Sequence, residues 1–242
     1  MAIVRTPLGT SQTKSSSGVV INLSGLISTD ALIVVAAGDI TSVTCKLRVV
    51  TVDLESFVKD VSADNAGNVV TDIWSLAQCG ASAATATNVA VDWVTTGNAY
   101  AAALIKVTGL ATSGIFDQSS TSTGSSLTAN SGASGTTTVA DELLIGGIGW
   151  EGPDGDNVGT ASNSFTLGER LGTTGGGAAG NITAQEIYRI VSATGAYTAE
   201  VVRTANSRDW AAAIATYKGV PAVALPFKQL IANQAVKRLA YY

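Results

Sequence analysis

Residues 100–110 read YAAALIKVTGL, and residues 210–220 read WAAAIATYKGV. Both phrases run from an aromatic residue through three alanines to Leu or Ile. Both close on Gly followed by an aliphatic residue. Alanine favours helix, but seven or eight residues make a marginal helix on their own. No N-cap and no helix-length apolar stripe accompany either phrase. The reading that fits is a central β-strand, buried on both faces, whose alanines let an opposing sheet come close. Tyr100 and Trp210 then anchor equivalent places in two similar halves. A second echo supports the duplication. TDALIVVAAGDI at 29–40 resembles ADELLIGGIGWEG at 140–152, with Asp30 falling on Asp141 and Leu32 on Leu143.

The rest of the chain agrees with an all-β fold. Short apolar runs alternate with Gly, Ser, Thr, Asn and Asp clusters, the pattern of strands and turns. In the first half, strands are expected at 19–23, 31–37, 42–52, 69–77, 88–94 and 100–107. The second half offers 142–148, 165–171, 184–191, 197–202 and 210–217. Residues 111–138, rich in Ser, Thr and Gly, read as an exposed crossover between the halves. Two Greek keys over residues 1–219 would make a jelly-roll-like β-sandwich of two similar halves. The alternative is a separate small sandwich in each half.

Composition narrows the function. Of 242 residues, 46% are hydrophobic and only 13% charged, against a usual charged share of about 25%. A surface so poor in charge suits a neutral Ser/Thr/Gly coat or one covered in an assembly. The net charge of −4 and the lack of a basic stripe argue against nucleic acid as a partner. No apolar run approaches the length of a membrane span, and residues 1–14 lack the apolar core of a secretory signal. The chain contains no histidine, which removes the usual general base and the commonest transition-metal ligand. Cys45 and Cys79 are too few for a zinc site and read as buried free thiols, with one disulfide between them as the alternative.

Few motifs invite chemistry. EGPDGDN at 151–157 gathers Glu151, Asp154 and Asp156, and carboxylates two apart can share a Ca²⁺. The spacing is not that of an EF-hand, so a solvated turn is the simpler reading. GTTGGGAAGN at 172–181 lacks the Gly-Lys-Ser/Thr ending of a phosphate loop and reads as a hairpin loop. Trp150 and Trp93 stand at strand ends, either in the core or as stacking platforms for sugars. No catalytic residue, metal ligand or cofactor is expected.

Residues 220–242 change character. Pro221 and Pro226 precede a stretch in which Phe227, Leu230, Ile231, Val236 and Leu239 recur near helical spacing, ending in Tyr241 and Tyr242. This C-terminal tail reads as a terminal helix on its own sandwich or as an arm that docks on a partner through those seven residues.

Several phrases together resemble phage and prophage jelly-roll virion proteins. They are MAIVRTPLGT, ALIVVAAGD, IFDQSSTSTGSS, TTTVADELLIGGIG and EIYRIVSATGAYTAEVVRTANSRDWAAAIATYKG. The resemblance covers roughly residues 1–220. It implies a β-sandwich exposed on virions, as a capsid decoration, head-fibre or tail-associated protein. It also implies a homo-oligomer or attachment to a major capsid or tail protein, with release by host lysis and no catalytic centre. A lectin-like, glycan-binding module for host attachment is the alternative.

Overall fold

The computed structural model describes residues 2–14, 16–94, 97, 99–156, 159–204 and 206–221. In the first half the strands are β1 (Val4–Thr13), β2 (Gly18–Asn22), β3 (Ala31–Gly38), β4 (Ser42–Val49), β5 (Val52–Ser56), β6 (Val58–Asn65), β7 (Val69–Leu76), β8 (Asn88–Trp93) and β9 (Tyr100–Thr108). The second half contains β10 (Phe116–Ser126), β11 (Thr128–Ala133), β12 (Asp141–Glu151), β13 (Thr160–Ala161), β14 (Thr166–Gly172), β15 (Ile182–Ser192), β16 (Thr198–Val202) and β17 (Arg208–Lys218). Two short 3-10 turns are the only helical elements among the described residues.

Each half builds its own pair of antiparallel sheets. The first half pairs its strands in the orders β1-β9-β3-β7-β6 and β2-β8-β4-β5. The second uses β10-β17-β12-β15-β14 and β11-β16-β13. Matching these orders position by position equates β1 with β10, β3 with β12, β7 with β15 and β9 with β17. Among the described residues only β5 lacks a counterpart. The alternative of one sandwich per half is therefore the one adopted, and both halves join a single stack.

Three cores separate four layers. One lies between the two sheets of the first half, around Leu32, Val34, Leu47, Trp74, Val91, Tyr100 and Leu104. Another lies between the two sheets of the second half, around Leu144, Ile148, Trp150, Ile187, Trp210 and Ile214. The third joins the two five-stranded sheets through Ile33, Val35, Ile73, Ala101, Ile105, Ile145, Ala211, Ala213 and Tyr217. Successive side chains of a strand point to opposite faces. A strand in an inner layer thus buries both faces, which explains the unbroken apolar runs of β3, β9 and β17. Tyr100 and Trp210 sit on equivalent strands and face the outer core of their own half, as the echo predicted.

The second echo slips by one residue. Leu32 pairs with Lys106 on β9, whereas Leu144 pairs with Thr216 on β17. Lys106 and Thr216 are matched residues of the alanine phrases. Leu32 is thus equivalent to Leu144, and Asp30 to Glu142 rather than to Asp141. Leu143 faces the central core instead. Because a strand's side-chain period is two, a slip of one exchanges faces.

The contact between halves is self-complementary. In it β6 lies against β10 and β17, and β7 against β17 and β12. Likewise β14 lies against β1 and β9, and β15 against β9 and β3. Exchanging every strand for its counterpart returns the same set, the signature of a two-fold interface. Small residues let the sheets close. A methyl group on Gly147 would come within 2.9 Å of Val35 Cγ1. Polar links also cross this boundary. Thr71 Oγ1 donates to the Ala211 carbonyl at 2.9 Å, and Tyr217 donates to Asp60 at 2.7 Å. Arg5 on β1 forms a bidentate pair with the fully buried Glu186 on β15, at 3.0 and 2.6 Å.

The segment 111–138 is not a crossover loop. Most of it forms β10 and β11, with β10 as an edge strand beside β17. An edge strand needs one neighbour and little apolar surface, and β-branched Thr suits it. The link between halves is the short stretch 111–115, pinned by the Ala111 amide bonded to the Lys218 carbonyl.

Candidate functional site

The acidic loop after β12 meets three arginines. Arg170 on β14 reaches Asp154 Oδ1 at 3.0 Å and the Asp154 and Asp156 carbonyls at 2.6 and 3.0 Å. Arg208, at the start of β17, donates from Nε to Asp156 Oδ2 at 3.0 Å. Arg203, just past β16, reaches the same oxygen through Nη2 at 3.1 Å. Burial pushes the Asp156 carboxyl up, but the bonds from Arg208 and Arg203 outweigh it and hold the group below its ordinary range. These carboxylates are therefore neutralised by guanidinium groups, not held open for Ca²⁺. Among the described residues no three His, Cys, Asp or Glu side chains gather to hold a metal ion.

Local backbone geometry explains the loop's glycines. Gly152 adopts φ +138°, and a methyl group there would stand 2.7 Å from Asp156 Oδ2. Its amide donates to the Asn181 carbonyl and its carbonyl accepts from Thr183 Oγ1. The 172–181 hairpin loop is fastened by buried Asn181, whose Nδ2 donates to the carbonyls of Gly175 and Gly177 at 2.9 and 2.7 Å. Lys14 also reaches the Gly175 carbonyl, at 2.8 Å.

Both tryptophans considered as platforms are core residues. Trp150 and Trp93 are each 4% exposed. Trp93 stacks on Tyr100 with ring centroids 4.3 Å apart. Trp150 lies under the Arg203 guanidinium, 5.4 Å from the ring centroid. Neither ring offers a face to a sugar. Cys45 and Cys79 are free and buried. Burial, then the nearby Asp30 charge, pushes the Cys79 thiol up to about 12, which makes it a poor nucleophile.

A second ionisable cluster marks the entry to β12. Glu142 is fully buried, with Thr216 and Asp117 beside its carboxyl group. Burial pushes its carboxyl up to about 7; Thr216 offsets part of the rise and the Asp117 carboxylate adds to it. Asp117 accepts from the Thr138 amide and hydroxyl, both at 2.6 Å. Those bonds, with Lys218 nearby, outweigh its own burial and keep it below the usual carboxylate range.

Sequence reading missed the arginines because they are scattered over β14, the end of β16 and β17 and belong to no motif. A signal was available: in a chain with so few charges, each buried cation needs a carboxylate. The seven partner-binding residues proposed for the tail, Phe227, Leu230, Ile231, Val236, Leu239, Tyr241 and Tyr242, lie outside the described residues. Among the described residues no helix is long and apolar enough to cross a membrane. Comparison with protein-family models, curated proteins and solved structures finds no match.

Proposed function

We propose that this chain is a structural virion protein, a capsid decoration or head/tail accessory protein attached through protein–protein contacts. The observation that carries the reading is the strand order of the first half. Apart from the extra edge strand β6, sheets running β1-β9-β3-β7 and β2-β8-β4-β5 match the order that two Greek keys wound into a jelly roll would produce, and jelly rolls recur in viral capsid domains. The step from fold to role is one of analogy. The low charge content supports it, since a covered surface needs little charge. Attachment is assigned to the arm of residues 220–242, whose large apolar side chains would each contribute about 1.5–3 kcal/mol when buried on a partner.

The test is co-sedimentation with assembled particles. Full-length protein should pellet with them, while a chain ending at Pro221 should stay in the supernatant with its thermal transition unchanged. Full loading of the shortened chain would remove the arm from the account.

A further inference from the structure

We propose that a cavity between Trp150, Arg170 and Arg203 is a binding site for one small monovalent anion of halide size. The cavity is lined by Trp150, Gly152, Gly159, Arg170, Thr183 and Arg203 and holds about 10 Å³, room for roughly one water-sized occupant. Two of the lining side chains carry buried donors that have no partner among the described residues. Arg203 has a side chain only 3% exposed; its Nη2 is spent on Asp156, but Nη1 has no partner. Trp150 Nε1 likewise has none. Both groups can only donate, and leaving a buried donor unmet is unfavourable.

Several of the neighbouring acceptors among the described residues are already engaged. Asp156 Oδ2 is shared by Arg203 and Arg208. Asp154 Oδ1 and the Asp154 and Asp156 carbonyls take Arg170, and the Gly152 carbonyl takes Thr183. A water molecule would add two further donors to a wall that already has two to satisfy. An ion that only accepts fits the wall better. Charge points the same way. Three guanidinium groups face two carboxylates, Asp154 and Asp156, leaving one positive charge over. Glu151 follows Trp150 on β12 and so points to the opposite face. Burial pushes the Arg203 guanidinium down; Asp156 pushes back, while Arg208 and Arg170 lower it further. The small volume excludes sulfate and phosphate.

An ion held only by the folded state stabilises it by mass action. Thermal unfolding of the full-length protein tests this at constant pH and ionic strength, with sodium chloride or bromide exchanged against sodium gluconate. The melting temperature should rise by roughly 3–6 °C per tenfold increase in halide above its dissociation constant. Trp150→Phe keeps the ring and loses one donor, so it should fold and lose most of that slope. Arg203→Lys should lose it too; if that variant does not fold, Trp150→Phe alone decides. Crystals soaked in bromide should show an anomalous peak beside Arg203. Equal melting temperatures in halide and gluconate, or density there without anomalous signal, would overturn the proposal in favour of a water.

Discussion

The two halves share a frame yet handle a buried carboxylate differently. In the first half Asp30 precedes β3, fully buried, accepting the Ile27 amide at 2.8 Å with Lys106 3.6 Å away. In the second half Glu142 holds the equivalent place, and Thr216 stands where Lys106 would be. One half supplies a cation. The other supplies none at that position and adds the Asp117 carboxylate, so the proton itself neutralises Glu142. A duplicated backbone thus fixes where a charge is buried, and the neighbours decide in which form it stays.

This contrast predicts a large, pH-dependent effect. Glu142 titrates near 4.5 when unfolded and near 7 when folded, so the folded state holds the extra proton between those values. Its contribution is fully present below about pH 4.5 and fades as pH rises through about 7. Above that, the buried charge costs on the order of 3 kcal/mol at about 1.4 kcal/mol per unit. Denaturant unfolding should show Glu142→Gln more stable than the parent at pH 8, with the gap closing toward pH 5. An equal gap at both values would contradict the protonated form.

A smaller effect tests the interface between halves. Val35 and Gly147 occupy equivalent positions, since Val35 pairs with Ala103 and Gly147 with Ala213. They also touch, so a large residue from one half fills the space left by a missing side chain in the other. Gly147→Ala should cost about 1–3 kcal/mol by overpacking. Adding Val35→Ala should recover part of that loss, a coupling that a double-mutant cycle measures. Strict additivity would mean that the two positions do not press on one another.

What the sequence disclosed follows from burial. β3, β9, β12 and β17 carry long apolar runs because inner layers cover both their faces, and all were foreseen. β1, β6, β10, β11 and β13 were not. Each is an edge strand whose outer side needs no apolar partner, so its residues look like loop. Pro7 in β1 illustrates the point, since an edge tolerates a missing amide and the register shifts just after it. The one-residue slip between Leu32 and Leu143 was hidden because both faces of β3 and β12 are apolar, so neither register looks wrong. At the candidate site, Trp150, Asp154 and Asp156 were visible as a cluster. Their chemistry was not, because it depends on arginines contributed from distant strands.

The central claim is that two sandwiches are fused through a two-fold-like interface into one cooperative body. Differential scanning calorimetry of the full-length protein, alone and as Arg5→Ala, tests it most directly. Arg5→Ala leaves Glu186 buried without its cation, at a cost of about 3–5 kcal/mol. The account predicts one transition in each protein, with calorimetric and van't Hoff enthalpies equal and the whole transition lowered in the variant. Two separate transitions, with the substitution moving only one, would contradict it.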